Sequence, residues 1–275
     1  MEINITITSR RNARILEIGK LKHRNHREKK GRFLLEGIRG MEDALNTGAG
    51  IHEVLVSPYL LRNPKGRALY ERLVTLGIRL YGVTDEVLKY ASDTGTPQGI
   101  VASVNIPVIE FRTHESQLVL LVDKIRDPGN LGTLIRSADA FGLAGIVLSG
   151  GVVDPFNPKC VRSTMGSILR MPIRVFEKAK DAIEFLKKDG FSIVAADIKA
   201  KVLCYDYNFS GKCGILIGSE AHGLTHEILS LCDSSVRIPM VGKTESLNLG
   251  VAGSVLMYEA YRQKQNHVLQ INKVL

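Results

Sequence analysis

Apolar positions along this chain fall into two successive alternations of strand-like and helix-like spacing, divided near residue 105. In the first, residues 12–23 set Ala13, Ile15, Leu16, Ile18 and Leu21 among polar neighbours, which predicts an amphipathic helix. Arg32–Glu36 reads as a strand, and Gly37–Asn46 as a helix that stops near Gly48. Val54–Val56, Ile78–Tyr81 and Gly99–Val104 read as further strands, with a helical stretch over Lys65–Leu76. The pattern predicts a small α/β sandwich over residues 1–105. Pro107 and the polar run Arg112–Gln117 then mark a linker over 106–117.

Residues 118–275 repeat the alternation more strongly. Leu118–Val122 is an unbroken apolar run, as expected of a strand covered on both faces. Leu131, Leu134, Ile135 and Ala138 have the core spacing of a helix from about Asn130 to Phe141, with Gly142 at its C-terminal cap. Ile146–Leu148 predicts a strand and Asn157-Pro158 the start of a helix through about Leu169. Strands at Ile173–Phe176, Ile193–Ala196 and Gly214–Ile217 complete a mostly parallel sheet, and a last helix runs from Ser246 to Gln263. The fold class is α/β in both halves.

The length, 275 residues, accommodates two such domains, and 44% hydrophobic with 24% charged residues excludes a disordered or collagen-like chain. No apolar run reaches the ~18 residues of a membrane span, and the N-terminus lacks a secretory core. The four cysteines form no CxxC pair, so a reduced cytoplasmic protein is expected. The net charge of +9 is concentrated: residues 1–40 hold 11 Lys and Arg against 4 Asp and Glu. That cluster points to a polyanionic partner, with nucleic acid first. The absence of Trp argues against a channel built on base stacking.

Three segments carry candidate chemistry. Val122–Arg136 runs from a strand through Asp127-Pro128-Gly129 into a helix start, with Asn130 and Arg136 off its apolar stripe. Position alone favours a capping role for Asn130 and a surface charge for Arg136. Ile215–Leu224 ends a strand in the loop Gly218-Ser219-Glu220-Ala221-His222-Gly223, where Gly218 allows close approach to the backbone. His222 and His226 stand four apart, but the HExxH order and a third ligand are missing, so no metal is expected. Val236–Ala252 contains Ile238-Pro239-Met240 and Ser246-Leu247-Asn248-Leu249-Gly250, with Ser246 a plausible helix cap. Arg237 stands where a GxxxxGK loop needs glycine, and no GxGxxG follows a strand, which weighs against an NTPase or a dinucleotide oxidoreductase.

Together these segments resemble the three ordered motifs of the SpoU (TrmH-like) RNA 2′-O-ribose methyltransferases of the SPOUT superfamily. Phe33–Gly37 and Pro97–Ala102 are similar to the ends of that family's L30e-like substrate-binding domain. The resemblance implies a deep trefoil knot in the C-terminal domain, a homodimer, and S-adenosyl-L-methionine as methyl donor, leaving S-adenosyl-L-homocysteine. It implies Arg136, Asn130, Glu220, Ser246 and Asn248 as catalytic residues. Cofactor contacts would come from Ser149, Gly150, Ile217, Gly218, Ser219, Glu220, Ile238, Met240, Leu247 and Ala252. The basic cluster then supplies RNA contacts through Arg10, Arg11, Lys22, Arg24, Arg27, Lys29, Lys30 and Arg32. The separate N-terminal domain favours ribosomal RNA over transfer RNA as substrate. A non-catalytic RNA-binding protein of the same fold is the alternative of another class.

Overall fold

The computed structural model describes residues 3–274 apart from Arg112, His114 and Glu115, with side chains as far as Gln265. Part of the predicted linker therefore lies outside the described residues. The backbone clusters into two compact units, one of Met1–Val108 with Asp154–Arg170, the other of Ile109–Val153 with Met171–Leu275.

The first unit contains β1 (Ile5–Ile7), α1 (Ala13–Lys20), α2 (Arg24–Lys30), β2 (Arg32–Glu36), α3 (Ile38–Asn46) and β3 (Ile51–Val56). It continues with α4 (Pro64–Thr75), β4 (Leu80–Val83), α5 (Asp85–Ala91) and β5 (Ile100–Asn105). The strands form one mixed sheet in the order β1-β4-β3-β5-β2, with β5 antiparallel to both its neighbours. Asn12 caps α1 by accepting the N–H of Arg14 at 2.9 Å, and Ile15, Ile18 and Leu21 enter a core with Leu34, Leu55, Val87 and Val101. The predicted helix over 12–23 ends early, at Lys20, and α2 follows as a separate turn of helix. The residues of α2 are almost all polar, so no apolar period announces it.

The second unit opens with β6 (Leu118–Asp123), α6 (Pro128–Ala140) and β7 (Gly145–Ser149). Next in sequence is α7 (Pro158–Thr164), which belongs to the first unit. The predicted helix to Leu169 stops at Thr164 because Met165 and Gly166 turn the chain through left-handed φ values of 49° and 91°. The second unit resumes with β8 (Ile173–Phe176), α8 (Ala179–Lys188), β9 (Ser192–Ala196), β10 (Val202–Leu203) and β11 (Cys213–Ile217). It ends with α9 (His226–Ser230), β12 (Ser234–Arg237) and α10 (Leu249–Val274).

The seven strands of this unit lie in the order β10-β12-β9-β11-β6-β7-β8, and every described pairing is parallel. β6 is buried along its whole length, as its unbroken apolar run requires. The order reverses between β6 and β11, since the chain leaves β6 toward β7 and β8 and later returns to the other side. In open α/β sheets such a reversal opens a crevice at the carboxyl ends of the strands. The small residues at the start of α10 are explained by its partner: a Cβ at Gly253 would lie 2.3 Å from Leu134 of α6. Ser137 and Ser254 share a hydrogen bond of 2.7 Å across the same contact.

None of the four cysteines is in a disulfide, and burial pushes Cys213 up to about 12 and Cys232 up to about 11, so neither supplies a thiolate near neutral pH. Among the described residues no helix is long and apolar enough to cross a membrane.

Candidate active site and nucleic-acid surface

The loops after β6, β7, β11 and β12 all leave the carboxyl edge of the parallel sheet. After β6, the Asp127 side chain accepts the N–H of Asn130 at 2.8 Å and caps α6, with Pro128 in the first turn. The helix thus begins earlier than the apolar spacing suggested, and Asp127 takes the cap. That leaves the Asn130 side chain free for other work.

Asn130 uses both ends of its amide. Its Nδ2 donates to Glu220 Oε1 at 3.1 Å, and its Oδ1 accepts from Asn248 Nδ2 at 2.9 Å. Asn248 Oδ1 in turn accepts the N–H of Val251 at 3.3 Å, and its carbonyl accepts that of Ala252 at 2.8 Å. Asn248 therefore caps α10, and the sequence expectation of a cap at Ser246 is corrected. The structural reason is that the helix starts at Leu249, and the loop before it stays irregular through Ser246. Asn130, in the first turn of α6, thus bridges side chains 90 and 118 residues further along the chain.

Glu220 is held on a tight loop in which Ser219 and Gly223 exchange backbone hydrogen bonds of 3.2 and 3.0 Å. A Cβ at Gly218 would lie 2.3 Å from the Gly223 carbonyl carbon. The glycine is thus required by the loop's own return, whatever else approaches it. His222 lies on this loop and His226 begins α9, so the two do not share a helix.

Ser149 is buried at the end of β7 and donates its hydroxyl to Asp123 Oδ1 at 2.9 Å, also buried, at the end of β6. Asp123 went unnoticed in the sequence because a strand-terminal aspartate carries no spacing signal. Beyond it Lys124 takes a φ of 58°, and Gly150 and Gly151 both take 77°. Ile217 has its side chain in the core, leaving only its backbone for a ligand. Ile238, Met240, Leu247 and Ala252 are half-buried, and Ser246 is exposed. Arg136 is exposed and makes no hydrogen bond or ion pair among the described residues. Six residues past Asn130, it stands about 120° away around the helix, so it does not join the amide–carboxylate chain.

The basic cluster of the first unit divides. Arg27 is only 2% exposed. Its Nε donates to Asp154 Oδ2 at 2.8 Å, and its Nη1 to the carbonyls of Leu21 and Lys22 at 2.7 and 2.8 Å. The expected RNA contact at Arg27 is therefore corrected to a buried structural pair, since its guanidinium is fully engaged inside the unit. Arg10 pairs with Glu86, Arg24 with Glu28 at 2.8 Å, and Lys30 with Glu17 at 2.7 Å. The Lys30 hydrogen bond holds the Glu17 carboxyl below its ordinary range. Lys22 donates to the Tyr90 carbonyl at 2.8 Å, and desolvation lowers its pKa. Arg11 and Lys29 are exposed with side chains free of ion pairs among the described residues, and Arg32 is half-buried.

An amide–carboxylate chain assembled at the reversal point of a parallel sheet defines an α/β enzyme with its ligand site at the strand carboxyl ends. The SpoU rRNA Methylase family matches residues 117–258, and the MRM3-like substrate binding domain matches residues 12–102. The 23S rRNA (guanosine(2553)-2′-O)-methyltransferase RlmP of Bacillus subtilis is 31% identical, covering 92% of this chain and 97% of the relative. The 23S rRNA (uridine(2479)-2′-O)-methyltransferase of Streptomyces viridochromogenes is 33% identical over 89% of this chain and 87% of its own. The crystal structure of the SpoU methyltransferase AviRb from the latter organism, in complex with the cofactor AdoMet, superimposes with a TM-score of 0.82 at 30% identity. It covers 93% of this chain and all of that one. The chain belongs to the SpoU rRNA methylase family, and it is a methyltransferase.

Proposed function

We propose that this enzyme transfers the methyl group of S-adenosylmethionine to a ribose 2′-hydroxyl of large-subunit ribosomal RNA. The observation that carries the reading is the Asn248–Asn130–Glu220 chain, which ties the three sequence motifs into one site. The names of the two relatives favour ribosomal over transfer RNA.

The chemistry of the surrounding loops fits the cofactor. Ile238, Met240 and Leu247 offer half-buried aliphatic surface to a purine, and Gly150, Gly151 and Gly218 leave main chain bare of side chains. These residues, with the backbone of Ile217 and with Ser219 and Ala252, would hold it. Bound there, it supplies an electrophilic methyl group. Ser149 supports its loop through Asp123.

The chain's own residues then have to present the nucleophile. A ribose hydroxyl is a weak nucleophile at neutral pH, and holding it in line supplies much of the rate. Arg136 stabilises the charge that develops on the 2′-oxygen, with the adjacent phosphate as its second contact, and the hydroxyl proton leaves to solvent water. A guanidinium keeps its proton up to a pH of about 12, so Arg136 serves as a donor and not as a base. Glu220, oriented by Asn130, and Ser246 and Asn248 position the ribose. Of the basic cluster, Arg11, Lys29 and Arg32 are the readiest RNA contacts, with Arg10, Lys22, Arg24 and Lys30 exchanging protein partners for phosphate.

The active form is a homodimer in the cytoplasm, with the family's knotted C-terminal domain. Val251, Val255 and Tyr258 support the pairing, for they form one exposed apolar stripe along α10. Light scattering should give twice the chain mass for the native protein and the single mass for Tyr258→Glu. A native monomer would refute the pairing.

The activity is tested with methyl-labelled cofactor and a 23S ribosomal RNA transcript, followed by complete digestion to nucleosides. Label is expected on one 2′-O-methylated nucleoside. Label on a base, or on a transfer RNA transcript alone, would overturn the assignment. Neutralising Arg11 and Lys29 together should lower the log–log salt slope of RNA binding by roughly 1.5.

A further inference from the structure

The first unit carries a second concavity, of about 250 Å³, between β2, the start of α3, the loop before β5 and α7. Two charged groups of its wall, Glu36 and Arg162, are ion-paired. Arg162 reaches Glu36 at 3.2 Å through Nη1 and Asp93 at 2.8 Å through Nη2. The Asp93 N–H also donates to Glu36. Apart from Arg39, what remains on offer is neutral. Gln98 Oε1 accepts the N–H of Ile38 at 2.9 Å, which fixes its amide and leaves the NH₂ without a protein partner among the described residues. Thr94 and Thr96 also line the cavity, and Leu35, Val161 and Met165 provide apolar wall.

One corner is held under strain. Met165 keeps a φ of 49°, uncommon for a residue with a side chain, and is 38% exposed beside the cavity. Gly166 follows with its Cα so near Asp43 that a Cβ would lie 2.0 Å from the carboxylate. Strained backbone of this kind gathers at ligand clamps. Arg39 lines the cavity, is exposed, and makes no ion pair among the described residues.

We propose that this cavity receives one unpaired nucleobase of the RNA substrate, at a nucleotide other than the one methylated. The ring lies on Met165, Leu35 and Val161, its edge is read by Gln98 and the two threonines, and Arg39 meets the neighbouring phosphate. A volume below the ~300–1,000 Å³ of drug-sized ligand sites suits a single heterocycle and excludes the whole methyl donor. Splayed, unpaired bases are the usual means by which proteins read RNA sequence. The inference rests on RNA being the substrate, and it makes the first unit a reader of sequence as well as a binder of phosphate.

The test uses the full-length protein and a 23S ribosomal RNA transcript carrying 4-thiouridine and 6-thioguanosine, crosslinked by near-ultraviolet light and mapped by mass spectrometry. Crosslinks are expected in residues 94–98 and 161–166. They should fall about tenfold in Thr96→Trp, which fills the cavity from an exposed position. They should fall similarly in Gln98→Glu, which keeps the oxygen that holds Ile38 but removes the NH₂. Crosslinks confined to other peptides, or undiminished in both variants, overturn the proposal. Methyl transfer in the same mixture reports on the proposed activity separately: transfer without crosslinks in the cavity defeats the base pocket alone.

Discussion

Replacing Arg136 by alanine is expected to lower the turnover of RNA methylation by about 10²–10³-fold, the usual cost of losing one donor to a developing oxyanion. The expectation follows from its setting, an exposed guanidinium on α6 that spends nothing on protein partners among the described residues. Calorimetry should find S-adenosylmethionine still bound, since the loops that would hold it do not depend on this side chain. Arg136→Lys should recover only part of the rate, because an ammonium keeps the charge and loses the planar fork. An alanine variant that methylates RNA at nearly the native rate would remove Arg136 from the mechanism.

The largest stability effect is expected at Arg27. Truncation to alanine strands the Asp154 carboxylate, whose side chain is 14% exposed, and should cost about 3–5 kcal/mol in denaturant unfolding. Much of that penalty belongs to the orphaned charge. The double variant Arg27→Met with Asp154→Leu should therefore be markedly more stable than Arg27→Ala. If Arg27→Ala instead unfolds like the native protein and only weakens RNA binding, the residue belongs to the surface after all.

These two arginines show where sequence reasoning reaches and where it stops. The central strands were legible because a strand covered on both faces must be largely apolar, as β6 is up to Asp123 and β11 along its length. The helix α6 was legible from its core spacing, although its start was not: two capping residues, Asp127 and Asn130, stand three apart, and only geometry decides between them. The same ambiguity moved the α10 cap from Ser246 to Asn248. Charge-rich elements such as α2 were missed because their formation depends on neighbours. Arg27 is the extreme case, since its partner lies 127 residues further along the chain and no local pattern distinguishes it from Lys29. Arg136 comes from its place in the motif alone, and its role remains a proposal that the alanine variant tests.

The position of β11 has a consequence for biosynthesis. It is hydrogen-bonded between β6 and β9, both of which leave the ribosome before it. The middle of the sheet is thus closed late, with only β12 still to follow, by a strand that has to enter a gap between two already translated. Contacts so distant in sequence form slowly. Until Ile217 emerges, the flanks of β6 and β9 present unpaired edges of the sort that invite aggregation. A nascent chain halted before that point would have every residue of its first unit translated and still lack Glu220 and Asn248, two of the three side chains of the amide–carboxylate chain.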